Sequence, residues 1–143
     1  MEKKDTILLL FFIGSIITFI FGIDVVRLAF LLPVETGGPI AMMAIGVIII
    51  TTIIFPILII IFGILTLRVL DNNTVGIVFG FIILAMCIVA LLFCIFYTIV
   101  VGLVPGDVAN IVMRIRSSLA VCIVGQIIVL IGAILNLGYQ FNK

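Results

Sequence analysis

The chain has 143 residues, of which 66% are hydrophobic and only 9% are charged, and its formal net charge is +1. A water-soluble domain usually carries about a quarter charged residues, so this composition predicts an integral membrane protein in a lipid bilayer. A net charge so close to zero also excludes the dense basic face that nucleic acid requires, and we expect no nucleic-acid partner. Histidine is absent, which removes the commonest general base and a preferred zinc ligand.

Four apolar segments are long enough to cross a hydrocarbon core about 30 Å thick, which takes about 20 helical residues. We predict spans at residues 6–32, 39–70, 74–104 and 108–138. The first is longer than a signal peptide's apolar region and lacks a cleavage pattern, so we expect it to be retained. Because the intervening turns are short, consecutive helices should be antiparallel neighbours. The predicted fold is a single-domain, all-α integral membrane protein, an up-down-up-down bundle of four transmembrane helices.

The turns contain residues that end or begin helices. Residues 33–39 (PVETGGP) hold prolines and glycines, residues 71–74 (DNNT) offer N-caps for the third helix, and Asp107 is a candidate N-cap for the fourth. In an even-numbered bundle both termini lie on one side. Basic residues on that side outnumber those on the other, so the positive-inside rule predicts cytoplasmic termini. The first group is Lys3, Lys4, Arg68 and Lys143, and the second is Arg27, Arg114 and Arg116.

Small residues recur along three of the predicted helices at spacings of three, four and seven. Such residues mark close helix contacts in membranes, where lipid offers no hydrophobic drive between helices. We predict that they pack inside the bundle, with contact between protomers as the alternative. The predicted packing residues are Gly14, Thr18, Gly22, Gly76, Gly80, Ser118, Cys122, Gly125 and Gly132.

Polar side chains from three helices fall at one depth, roughly 7 to 12 Å below the helix tips at 1.5 Å per residue. They are Asp24, Arg27, Tyr97, Arg114 and Arg116. One interpretation places this polar layer at the membrane interface. The other places part of it inside the bundle, where Arg114 continues the small-residue stripe of the fourth helix. In that case we expect Arg114 to pair with Asp24, Arg27 to share the network, and Arg116 to extend to the lipid headgroups.

A second polar group lies in the middle of the membrane. Pro56 removes the hydrogen bond to the carbonyl of Thr52, and Thr51, Thr52 and Gln126 lie in the middle third of their helices. We expect Gln126 to bond either the freed carbonyl or a threonine hydroxyl. A structural role is favoured over a transport site.

No pattern indicates catalysis, a cofactor or a metal, so we expect the protein not to be an enzyme. Cys87, Cys94 and Cys122 lie in apolar runs and are interpreted as small packing residues. The favoured function is a non-catalytic accessory, assembly or immunity-type subunit that packs against another membrane protein. The alternative is a small ion channel or solute transporter that works as a homo-oligomer, so the expected partner is another membrane protein or a second copy.

Overall fold

The computed structural model describes residues 3–31, 38–69, 72–101 and 109–142, with only the backbone described at 38–42 and 109. Its α-helices are α1 (Lys3–Ala29), α2 (Gly38–Ile49), α3 (Phe55–Ile64), α4 (Asn73–Val101) and α5 (Ala109–Phe141). Two π-helical turns, Ile50–Ile54 and Leu65–Val69, join α2 to α3 and extend α3. Residues 38–69 therefore form one continuous rod, here called the segmented helix.

The predicted all-α class is confirmed. Within the described ranges, four helices are long and apolar enough to cross a membrane: Lys3–Ala29, Met43–Val69, Asn73–Val101 and Asn110–Phe141. The predicted boundary residues 32, 70, 104 and 108 lie outside the described residues. So does Asp107, together with most of the 33–39 turn.

Three helix ends differ from the predicted bounds by three residues, and one of them is the end of α1, which stops at Ala29 with residues 30 and 31 in a turn. α1 begins at Lys3, and its first turn is tied to the segmented helix by an ion pair between Asp5 and Arg68. α5 continues through Gly138 to Phe141, because a single glycine is tolerated within a helix and the side chain of Gln140 beyond it is buried.

The N-cap of α4 comes from the predicted 71–74 segment. The Asn72 side-chain oxygen accepts a hydrogen bond from the backbone N–H of Thr74 at 2.9 Å. The Asn72 carbonyl accepts from the backbone N–H of Gly76, also at 2.9 Å. Asn72 thus satisfies backbone donors that the first turn of a helix otherwise leaves unpaired.

The closest packing joins α1 to α5. The backbones approach so tightly at Gly125 that an added Cβ would lie 2.8 Å from the carbonyl oxygen of Gly14. Gly132 faces the Phe11 ring, and Ser118 bonds Asp24 at the other end of the interface. Residue numbers thus rise along one helix as they fall along the other.

α4 and α5 pack through stripes that alternate steps of four and three residues. This 3.5-residue period is the spacing of left-handed coiled coils. On α4 the buried residues are Gly76, Gly80, Ile83, Cys87, Ala90, Cys94, Tyr97 and Val101. On α5 the matching buried residues are Ile115, Leu119, Cys122, Gln126, Val129, Ala133, Asn136 and Gln140.

Two apolar clusters fill the bundle, one toward each end. The first includes Phe11, Ile59, Cys87 and Val129. The second includes Val25, Leu28, Ile48, Cys94 and Cys122. The helices α1, α4 and α5 and the segmented helix each contribute to both clusters. Between the two clusters in sequence lie the buried polar residues Ser15, Thr18, Thr51, Thr52 and Gln126. The core is therefore divided by one polar level, which we call the middle level.

Candidate functional site

The polar layer is organised around Asp24. One carboxylate oxygen accepts from Arg27, three residues later on α1, at 2.7 Å, and the other accepts from the Ser118 hydroxyl of α5 at 2.5 Å. The Arg27 side chain is 62% exposed and that of Asp24 is 32% exposed. The ion pair thus lies at the bundle surface, where such pairs contribute at most about 1 kcal/mol. The bond to Ser118 is the one that joins two helices.

The predicted pairing of Arg114 with Asp24 is wrong. Arg114 is exposed, and within the described part of the chain no ion pair joins it to Asp24. The face of α5 toward α1 also alternates steps of three and four, through Gly132, Val129, Gly125, Cys122 and Ser118. Its next member is Ile115, which is fully buried. Repeated steps of four drift by about 40° each around a helix of 3.6 residues per turn. A stripe extended from Ser118 in steps of four therefore leaves the buried face at Arg114.

Arg114 nevertheless borders an open groove beside Asp24. The groove measures about 370 Å³ and is lined by Asp24, Met113, Arg114, Ser117 and Ser118. It places one guanidinium, one carboxylate and two hydroxyls on the same outer surface. This groove, rather than the bundle interior, is where the polar layer meets the surroundings.

The remaining members of the layer hold α4 and α5 together. Tyr97 is only 8% exposed and belongs to the apolar cluster of Val25 and Leu119. Arg116 is exposed, and the extension of its side chain to the lipid headgroups stays a prediction. Its Nε donates to the backbone carbonyl of Thr98 on α4, at 3.2 Å.

At the middle level, the threonines are satisfied within their own helix. Thr51 donates to the carbonyl of Val47 at 3.0 Å, and Thr52 donates to that of Ile48 at 2.6 Å. The expected bond from Gln126 to a threonine or to the freed carbonyl is wrong, because neither polar atom of the Gln126 side chain bonds them. Instead, Gln126 Nε2 donates to the Cys94 sulfur of α4 at 3.2 Å. Its Oε1 is buried without a hydrogen-bond partner.

Pro56 is the second residue of α3, which continues directly from the π-helical turn Ile50–Ile54. The N–H of Phe55 donates to the carbonyl of Ile50, the five-residue step that defines a π-turn. The turn packs Thr52 against α1, and a Cβ on Gly22 would lie 2.6 Å from the Thr52 Cβ. Only glycine fits there without a shift.

All the predicted packing residues are buried in the structure. One close contact that sequence reasoning missed is at Gly63 of α3, where an added Cβ would lie 2.7 Å from the Phe11 ring. The sequence signal for this contact is weak, because Gly63 is a single glycine in an apolar run and no second small residue lies four positions away. Four further buried polar residues lie outside the predicted sites: Ser15 at the middle level, Thr66 of the segmented helix, and Asn136 and Gln140 near the end of α5.

Gln140 and Asn136 form a second buried polar pair on α5, opposite Gly76 and Gly80 of α4. Gln140 Nε2 lies 3.5 Å from Asn136 Oδ1, and the two residues are 1% and 0% exposed. The glycines leave room for these amides, because a Cβ on Gly76 would lie 2.6 Å from the Gln140 amide carbon. Glycines on α4 thus accommodate amides on α5.

No protein-family model matches the chain, and no curated protein or solved structure is significantly similar to it. Among the described residues, no group of three or more His, Cys, Asp or Glu side chains is arranged to hold a metal ion. The cysteines Cys87, Cys94 and Cys122 are all buried and free. Functional inference therefore depends on the surfaces and contacts described above.

Proposed function

We propose that the chain crosses a membrane four times in alternating directions, with both termini on the cytoplasmic side. Four helices of spanning length support this topology. So do contacts that run in opposite directions: Asp5 meets Arg68 while Gly22 meets Thr52, and Gly76 meets Gln140 while Cys94 meets Gln126. Large apolar side chains are exposed along every helix rod, as expected of surfaces that face lipid tails.

Within that membrane we propose a non-catalytic accessory or assembly subunit that packs against another membrane protein. The observation that carries this proposal is the outer face of α4. Exposed apolar residues recur there in alternating steps of three and four, at Val78, Phe81, Ala85, Ile88, Leu92, Ile95 and Ile99. The spacing repeats that of the inner face, which binds α5. A helix with two such seams can hold α5 on one side and a partner helix on the other.

The burial of the helices leaves α4 and the segmented helix as the least covered elements. Only 28% of the most apolar window of each is buried inside the bundle, compared with 44% for α5. Several interior polar groups are used in contacts between or within helices, as Ser118 bonds Asp24 and Gln126 bonds Cys94. The surface that the protein exposes to its surroundings therefore consists mainly of apolar side chains on its helices.

The runner-up function is a channel or transporter that works as a homo-oligomer, and the groove beside Asp24 and Arg114 favours it. A conducting pathway needs a continuous polar lining. Within one chain, the tight contact of Gly125 with Thr18 and Gly14 separates the groove from the middle level. A pathway would therefore have to run between protomers, along the groove.

Photo-crosslinking in the native membrane distinguishes these functions. A crosslinking amino acid at Leu92, on the outer seam of α4, should capture one unrelated membrane protein that also co-purifies in stoichiometric amount. The matched control is Ile20 of α1, which is similarly exposed, at 56% compared with 61%, and should not capture that protein. Crosslinks only between copies of this chain, together with ion or solute flux in liposomes, would support the oligomeric channel instead.

A further inference from the structure

The groove beside Asp24 has two opposite charges on its walls that do not touch each other. The Arg114 guanidinium of α5 acts on the Asp24 carboxylate of α1 through its charge. The two groups form no ion pair, however, so they lie more than about 4 Å apart. Both residues line the same open groove of about 370 Å³, together with Met113, Ser117 and Ser118. The groove therefore separates a positive group from a negative one.

Both charged groups have unused hydrogen-bonding capacity. A carboxylate offers about four lone-pair sites, and Asp24 uses one oxygen for Arg27 and the other for Ser118. A guanidinium has five N–H donors, and Arg114 makes no hydrogen bond within the described part of the chain. The Ser117 hydroxyl donates to a backbone carbonyl of its own helix at 3.0 Å, so its lone pairs can accept from a ligand. The groove thus has free acceptors on one side and free donors on the other.

The groove lies near the ends of its two helices, at the depth of lipid headgroups. Asp24 lies five residues before the end of α1, and Arg114 lies five residues after the start of α5. The 27 residues of α1 make it about 40 Å long, compared with a hydrocarbon core about 30 Å thick. A position about 8 Å from a helix end therefore falls close to the boundary between hydrocarbon and headgroups.

Exposed apolar side chains follow the groove toward the middle of the bundle. Ile20 lies about one helical turn from Asp24 on the same face of α1, and Val124 lies about two turns from Ser117 on the same face of α5. These two apolar side chains are 56% and 54% exposed. A ligand with its polar part in the groove and hydrocarbon chains below it would contact both. A phospholipid has this form.

We propose that the groove binds the headgroup of a phospholipid that carries a primary amine, the phosphatidylethanolamine class. The lipid ammonium donates to the Asp24 carboxylate and to the Ser117 hydroxyl oxygen, and the lipid phosphate accepts from the Arg114 guanidinium. This inference rests on the proposed membrane topology, which places the groove in the leaflet opposite the termini. It is separate from the outer seam of α4, because the described residues that line the groove belong to α1 and α5.

The charges around the groove favour this headgroup over other common ones. A choline headgroup has a quaternary ammonium with no N–H to donate, and proteins hold such groups with aromatic rings. None of the described residues that line the groove is aromatic. A headgroup with a phosphate and no amine would leave the Asp24 carboxylate facing a second negative charge. The polar layer contains three arginines and one aspartate, so the lipid phosphate also offsets positive charge at this depth.

Native mass spectrometry of the full chain, released from detergent micelles that contain one added phospholipid, tests the proposal. The three phospholipids compared have identical acyl chains and carry an ethanolamine, choline or glycerol headgroup. One ethanolamine lipid should stay bound per chain at a concentration about tenfold lower than the other two require, because a hydrogen bond to a charged group contributes about that factor. Equal retention of the three lipids would overturn the proposal. A chain that stays monodisperse without detergent would instead contradict the membrane topology.

Two substitutions locate the site in the same assay. Asp24→Asn should remove the preference for the ethanolamine lipid over the choline lipid, and Arg114→Gln should weaken retention of the ethanolamine lipid about tenfold. The matched control is Asp5→Asn at the opposite end of α1. Asp5 is 33% exposed and pairs with Arg68, much as Asp24 is 32% exposed and pairs with Arg27. Because the preference is a ratio measured within one variant, a general loss of stability does not produce it. An equal effect of Asp5→Asn and Asp24→Asn would overturn the site.

Free phosphoethanolamine distinguishes a lipid site from a site for a soluble zwitterion. This molecule has the same ammonium and phosphate but no acyl chains, so it lacks the contacts along Ile20 and Val124. It should not displace the bound ethanolamine lipid when the two are present at equal concentration. Displacement at equal concentration would show that the acyl chains contribute nothing and would overturn the lipid proposal.

Discussion

The α1–α5 contact yields the sharpest prediction, because the same substitution should have opposite effects at two glycines. In Gly125→Ala, the new Cβ would lie 2.6 Å from the Thr18 hydroxyl oxygen and 2.8 Å from the Gly14 carbonyl oxygen. The backbone oxygen cannot rotate away, so α1 and α5 must separate. Overpacking of this kind costs about 1 to 3 kcal/mol. The gain in helix propensity from glycine to alanine offsets about 1 kcal/mol of that cost.

Gly46 of α2 is the matched control. A Cβ there meets nothing within 4 Å, so Gly46→Ala should keep the propensity gain without a clash. The propensity terms cancel between the two variants, and the predicted gap in unfolding free energy is the overpacking cost, about 1 to 3 kcal/mol. Reversible unfolding in mixed micelles, followed by circular dichroism, measures this gap. Equal stability of the two variants would refute the close α1–α5 contact.

Three further predictions concern polar groups, all measured by the same unfolding assay. Ser118→Ala should couple more strongly with Asp24→Asn than Arg114→Gln does, because Ser118 donates a hydrogen bond to the Asp24 carboxylate whereas Arg114 acts on it only through its charge; the reverse ranking would restore the predicted Arg114 pairing. Asn72→Ala should cost about 1 kcal/mol through loss of the α4 N-cap, and Asn72→Asp should cost much less. Arg68→Gln breaks a partly exposed ion pair and should cost less than about 1 kcal/mol, an effect that salt removes; a larger, salt-independent loss would contradict surface exposure.

Much of the architecture could be predicted from composition and spacing. The shortage of charged residues and four long apolar segments predict the all-α class and the four helices of spanning length. Small residues at helical spacing identify faces that prove to be buried, such as Gly14 against Gly125. Both signals are strong because they depend on many residues rather than one.

The partners of individual polar side chains could not be predicted, for two physical reasons. The buried face of α5 repeats every 3.5 residues. A stripe drawn in steps of four therefore arrives at the exposed Arg114 instead of the buried Ile115. In addition, Thr51 and Thr52 bond carbonyls of their own helix, so neither hydroxyl donates to Gln126. A cysteine sulfur on a neighbouring helix takes that role, and no local pattern around Cys94 indicates it.

Topology mapping tests the central claim, a membrane bundle of four crossings, most directly. In a cysteine-free background, single cysteines would replace Asn72 and Asn142, which are exposed, and residue 35, which follows α1. A membrane-impermeant maleimide added to the cytoplasmic side of sealed vesicles should label the first two and spare residue 35. Labelling of positions 72 and 142 from opposite sides of the membrane would contradict the claim. So would release of the protein from membranes by alkaline carbonate.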